Sequence, residues 1–169
     1  MIILGLDPGY EHSALVLWDG QEVVWHADEP NNRILERLRG LHEHGDILVI
    51  EHVESYGMAV GKTIFETVYF AGRCAEAWFP KLVSRVPRRE IKVHLCGSTR
   101  ATDSNIRQAL IDRFGPSTDK AIGRKASPGP MYQITGHKLS ALAVALTWWD
   151  QHRDDPVGEV IRPGIVAEF

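Results

Sequence analysis

Two cysteines in 169 residues, Cys74 and Cys96, are too few and too far apart for a disulfide framework or a zinc knuckle. They read as reduced thiols of a cytoplasmic protein. No apolar run approaches the roughly 20 residues that cross a bilayer, and charged residues follow Leu6 too soon for a secretory signal. No membrane association is therefore expected. Internal repeats, low-complexity tracts and linkers are also missing, which points to one domain over 1–153 and a short irregular tail over 154–169. Nor does charge of one sign dominate. The net charge is −3, with 44% hydrophobic and 24% charged residues, the balance of an ordinary globular protein.

That total conceals an asymmetry. Residues 85–125 carry ten Lys/Arg against four Asp/Glu, a local +6, which leaves the rest of the chain at −9. A basic segment in an acidic chain is the footprint of a polyanion-binding face, with a merely solvated surface as the alternative. Arg85, Arg88, Arg89, Lys92, Arg107, Arg124 and Lys125 are the candidate phosphate contacts. Arg124 and Lys125 stand in a Gly/Pro-rich stretch, which suggests a loop reaching for phosphate.

The chain opens with four apolar residues among Ile2–Leu6, then Asp7 and a Pro8-Gly9 turn. So apolar a run predicts a strand buried on both faces. Ser13–Trp18 and Gln21–His26 read as further strands, joined by a two-residue hairpin turn at Asp19-Gly20. Apolar residues at 34, 35, 38 and 41 predict a helix over Asn32–His42, and Asp46–Glu51 repeats the opening pattern of a strand ending in an acid. A long helix over Val60–Phe79 stops at Pro80. Leu82–Val86 and, more clearly, Ile91–Leu95 read as strands. Asp103–Phe114 reads as a helix with Asp103 as its N-cap and Gly115-Pro116 as its stop. Residues 115–135 lack apolar periodicity and are expected to be a loop, and His137–His152 forms a last helix. This order predicts an α/β fold, with antiparallel hairpin strands followed by parallel strands reached through right-handed crossovers.

Asp7 has two readings. It makes an Asx-turn with the Pro8-Gly9 backbone, or it is a metal ligand. Glu51 ends a second buried strand, and the two carboxylates converge if the strands are neighbours. Converging carboxylates repel unless they share a proton or a divalent cation, and an oxygen-rich site suits Mg²⁺ or Mn²⁺. For Glu51 the alternative is capping of the loop that runs to Glu54. His137 starts the last helix, whose small residues Ser140, Ala141, Ala143 and Val144 let its first turn approach the strand ends. A plain capping or surface role is the alternative for His137.

Taken together, these stretches resemble the RuvC-type Holliday-junction resolvases of the RNase H-like superfamily, and more closely their phage-encoded relatives. The matching segments are LGLDPG (Leu4–Gly9), VIEHVESYG (Val49–Gly57), GKTIFETVYFAGR (Gly61–Arg73), DSNIRQALIDRFG (Asp103–Gly115) and PGPMYQITGHKLSALAVALTWWD (Pro128–Asp150). Actin-like ATPases share the opening alone. Their fold needs a second phosphate loop and a second domain, for which 169 residues leave little room.

The resemblance implies an RNase H-like mixed sheet flanked by helices, in a homodimer whose dimer helix is Gly61–Phe79. It implies hydrolysis of four-way junctions and other branched DNA with two Mg²⁺ ions, Mn²⁺ substituting. Asp7 would bridge both ions, Glu51 would hold one, and His137 would help hold the other. A further acid is implied three residues after His137, and Ser140 stands there instead. Three readings follow: water fills the gap, Asp103 contributes, or the protein binds junctions and cleaves slowly. Lys138 faces either the scissile phosphate or solvent. A nuclease of the same fold acting on RNA–DNA hybrids is a further alternative.

Overall fold

Strand β1 (Ile3–Asp7) is the middle strand of a five-stranded sheet with the order β3-β2-β1-β4-β5. The structure is a computed structural model and describes residues 1–55, 57 and 59–154. β2 (His12–Trp18) runs antiparallel to β1, and β3 (Val23–Pro30) antiparallel to β2. β4 (Ile47–His52) runs parallel to β1, and β5 (Leu82–Pro87) parallel to β4. The sheet is thus mixed, antiparallel on one side and parallel on the other, and helices cover both faces, as an RNase H-like fold requires.

Alternation of side chains along each strand splits the core in two. Ile3, Val16, Ile47 and Val49 pack with α3 (Arg88–Cys96), α4 (Asp103–Phe114) and α6 (His137–His152). Leu4, Leu6, Leu15, Leu48 and Ile50 pack with α1 (Asn31–Leu41) and α2 (Lys62–Trp78). With both faces covered, Ile3, Leu4 and Leu6 are fully buried, which is why β1 reads as an unbroken apolar run.

Gly5 is the exception in that run, for a steric reason. α6 crosses β1 so closely that a Cβ at Gly5 would collide with the Ala141 carbonyl oxygen and lie 2.8 Å from the Ala145 Cβ. The missing side chain of Gly5 and the small residues of α6 together set that helix down on the sheet. They fix where its first turn falls.

Four expectations need correction. Ile91–Leu95 is helical, inside α3, and not a strand. Its apolar residues at 91, 93 and 95 fit a period of two, yet Ile91 is buried while Val93 is 46% exposed, so the working contact is the helical pair 91 and 95. Gly97, at φ 69°, ends this helix in a left-handed cap. The β2–β3 turn spans Asp19–Glu22, because Asp19 Oδ1 accepts from both Gln21 N and Glu22 N at 2.8 Å. Thr102, not Asp103, is the N-cap of α4. The Thr102 hydroxyl accepts from Asn105 N, and Asn105 Oδ1 accepts from Thr102 N at 2.8 Å, a reciprocal capping box. Finally, residues 115–135 contain a short helix α5 (Thr118–Ala121) and a hairpin of β6 (Gly123–Arg124) and β7 (Ser127–Pro128), anchored by buried Met131 and Ile134. The tail expected over 154–169 lies outside the described residues beyond Asp154.

Candidate functional site

β1 and β4 pair in parallel register from Ile3 with Ile47 to Leu6 with Ile50. One step further along that register places Asp7 beside Glu51. Both follow the α6-facing alternation of their strands, and both side chains are nearly buried, at 15% and 14% exposure.

Among the described residues, neither carboxylate is seen to bond to its local turn. Gly9 N donates to Ser13 Oγ at 3.0 Å, Ser13 Oγ donates to Asn31 Oδ1 at 2.7 Å, and Asn31 Nδ2 donates to the Gly9 carbonyl at 3.0 Å. Those groups hold the Pro8-Gly9 turn, and they remove the Asx-turn reading of Asp7. Asp7 Oδ2 instead lies 3.0 Å from His137 Nδ1, at the start of α6. The close seat of α6 on Gly5 delivers that imidazole, which is itself 66% exposed.

Glu51 has a different partner. Pro87 ends β5, and Arg88 follows at the first position of α3. Arg88 Nη1 donates to Glu51 Oε2 at 3.0 Å and to Ser140 Oγ at 3.3 Å. Its Nη2 donates to Asp103 Oδ1 at 2.5 Å. With Thr102 as the cap of α4, the carboxylate of Asp103 is available for this contact. One guanidinium therefore ties together β4, α4 and α6.

The electrostatics are unbalanced. Burial pushes the Glu51 carboxyl up to about 7, with Arg88 opposing and the Asp7 charge adding to the rise. Burial also raises Asp7, against the hydrogen bond and charge of His137 and the charge of Arg88. Arg88 is raised as well: burial works against its charge, but Glu51, Asp103 and Asp7 outweigh it. Two acids are thus held at a cost that one guanidinium and one imidazole do not offset. The carboxylate oxygens are donors that suit Mg²⁺ or Mn²⁺, while the imidazole nitrogen of His137 is a donor better suited to softer transition metals. Yet among the described residues no three His, Cys, Asp or Glu side chains stand close enough together to hold an ion as they are.

A cleft of about 370 Å³ opens beside this cluster, lined by Arg88, Asp103, Arg107, His137 and Ser140 among others, while Asp7 and Glu51 lie outside its lining. Of the basic residues read from the sequence, Arg107 lines the cleft and Arg88 lies inside the acidic cluster. Arg89 is exposed on α3, beside partly buried Lys92, and Arg124 and Lys125 are exposed at the β6–β7 hairpin. Arg85 pairs in register with Ile50 and so points to the α2 side, away from Asp7 and Glu51. Lys138 lies toward β3. There, after burial, its charge is the next cause that lowers the pKa of His26.

Two features escape a reading of the sequence. Asp28 aligns with Asp7 through Ala14, which pairs with both, and its charge adds to the rise in Asp7. The register of β3 is the signal that would have found it. Arg88 was legible as a cation but not as the partner of Glu51.

No protein-family model and no curated protein sequence matches the chain. Solved structures do. The chain is similar to RuvC of Thermus thermophilus, with 20% identity, a TM-score of 0.55, and coverage of 89% of this chain and 96% of that one. It is also similar to T. thermophilus RuvC in complex with a Holliday junction substrate, with 21% identity, a TM-score of 0.56, and coverage of 87% and 92%. At this identity the likeness shows the fold: the chain has the RNase H-like fold of RuvC.

Proposed function

We propose that this chain is a structure-selective endonuclease that resolves four-way DNA junctions and other branched DNA by divalent-metal-dependent hydrolysis. The observation that carries this reading is the pair of buried acids, Asp7 and Glu51, side by side at the ends of parallel strands, with His137 brought onto Asp7 by α6. The RuvC fold, solved elsewhere with a Holliday junction substrate, supports the substrate class.

Asp7, Glu51 and His137 would hold the metal, Mg²⁺ with Mn²⁺ able to substitute, and Asp103 and Ser140 offer further oxygens. When bound, such ions polarise the phosphodiester and activate the attacking water; two are expected from the resemblance. The protein's own residues supply the rest. His137 orients the Asp7 carboxylate, Arg107 lines the cleft where a phosphate would lie, and Arg89, Lys92, Arg124 and Lys125 extend the positive surface beyond it. Lys138 would serve the flank toward β3, whereas Arg85, on the α2 side of the sheet, is not placed to join them.

A homodimer fits the two-fold symmetry of a junction with two cleavage points. α2 exposes Phe65, Val68 and Tyr69 at 64%, 50% and 66%, an apolar face suited to a second copy. Such an enzyme would act in the cytoplasm, the host's where the gene is phage-borne.

A second reading has a specific observation behind it. Ser140 stands where an acid is implied, and Arg88 fills the space beside it. Both favour a protein that binds junctions but cleaves them slowly.

Incubation with a synthetic four-way junction, a flap, an RNA–DNA hybrid and a linear duplex in Mg²⁺ or Mn²⁺ tests these readings. We expect paired nicks in the junction that vanish with a chelator. Junction binding without product under either ion would favour the second reading, and preferred cleavage of the hybrid would redirect the substrate assignment.

A further inference from the structure

Arg88 occupies an odd place for a cation. It stands at the first position of α3, where the helix dipole disfavours positive charge. What holds it is the set of oxygens ahead of it: Glu51 at 3.0 Å, Asp103 at 2.5 Å and Ser140 at 3.3 Å. Its side chain is only 25% exposed, so its charge is screened less than that of a surface arginine. Two carboxylates and a hydroxyl around one positive centre is the donor pattern of a small cation site, here filled by a guanidinium.

That placement explains why the donors do not converge. Glu51 turns to Arg88, while Asp7 turns to His137. A divalent ion shared by Asp7 and Glu51 would sit against the guanidinium, and like charges at such range repel strongly in a partly buried site. Ser140 matters here too. Its hydroxyl is a neutral neighbour for Arg88, where an acid would be a charged metal ligand.

We propose that Arg88 is a resident counter-cation that competes with a divalent ion for Glu51, so that the ion enters by displacing the guanidinium. This rests on the reading of Asp7, Glu51 and His137 as a metal site, and it adds a regulatory element to that site. Until an ion arrives, Arg88 partly offsets the acids and links β4, α4 and α6.

The test is Mn²⁺ binding, followed by calorimetry or by the loss of free-ion EPR signal, on the full chain at pH 8. Arg88→Met should bind Mn²⁺ roughly tenfold or more tightly than the parent, as expected for removal of one unit charge at contact range. Arg88→Lys, which keeps the charge, should stay near the parent. In chelator Arg88→Met should melt at a lower temperature, and saturating Mn²⁺ should raise its melting temperature more than the parent's. Should the methionine variant not fold, Arg88→Gln serves for the same comparison. Equal or weaker Mn²⁺ binding without the arginine overturns the competition; if Asp7→Asn still abolishes that binding, the metal site itself stands. Absence of Mn²⁺ binding by parent and variant alike overturns the metal site, and the inference with it.

Discussion

The two ends of α6 carry clusters built from the same residue types, and they behave in opposite ways. At the C-terminal end, Asp150 accepts from Arg113 Nη1 at 2.5 Å, from Arg113 Nη2 at 2.8 Å and from His94 at 2.9 Å. At the N-terminal end, Asp7, Glu51 and Asp103 share His137 and Arg88. Burial disfavours the charge of Asp150 too, but Arg113 and His94 outweigh it and hold its carboxyl below the usual range. At the other end burial wins, and both Asp7 and Glu51 rise. One acid with an arginine and a histidine as partners ties α3, α4 and α6 together; three acids with one guanidinium and one imidazole leave a cluster short of positive charge. The difference separates a charge-balanced structural clamp from a cluster of acids whose charge burial disfavours.

Titration separates the two clusters. Between about pH 4.5 and 7 the folded protein keeps a proton on Glu51 that the unfolded chain has already lost, so stability falls as pH rises through that window. In chelator, Glu51 should remove about 3 kcal/mol of stability between pH 4 and pH 8. Glu51→Gln should lack that part of the pH dependence in urea unfolding. Identical profiles for the two proteins would mean that the N-terminal cluster is as well balanced as the other.

The clamp should respond in the opposite sense. Asp150 stabilises the fold at neutral pH, and its contribution is lost as pH falls through its depressed value. Asp150→Asn should cost about 2 kcal/mol at pH 7 while leaving junction nicking unchanged, read from denaturant melts and a nicking assay on the same preparation. Thr102→Ala removes the cap of α4 and should cost about 1 kcal/mol in thermal or urea unfolding.

Parts of this were legible in the sequence because the physics is local. A short apolar run that ends in an acid announces a buried strand with a carboxylate at its end, and both Asp7 and Glu51 were visible that way. The small face of α6 announced a close approach, which the Gly5 contact bears out. What was hidden depends on partners distant in the chain. Nothing in a basic segment says which arginine turns inward, so Arg88 looked like its neighbours. The alternation in Ile91–Leu95 serves a strand or one turn of helix equally, and only the exposure of Val93 separates the two. Asp28 reaches the site through a register that passes by way of Ala14. The cap of α4 was misplaced by one residue because threonine and aspartate stand side by side and both are good caps.

Under the proposed function the N-terminal cluster is a cation-dependent nuclease site, and Asp7→Asn removes the carboxylate at its centre. Cleavage and binding of a synthetic four-way junction would be measured side by side in Mg²⁺ and in Mn²⁺. Nicking is expected to fall by on the order of a thousandfold, as for loss of a group that stabilises the transition state, while junction affinity is retained. Nicking by Asp7→Asn at the parent's rate would contradict the proposed function.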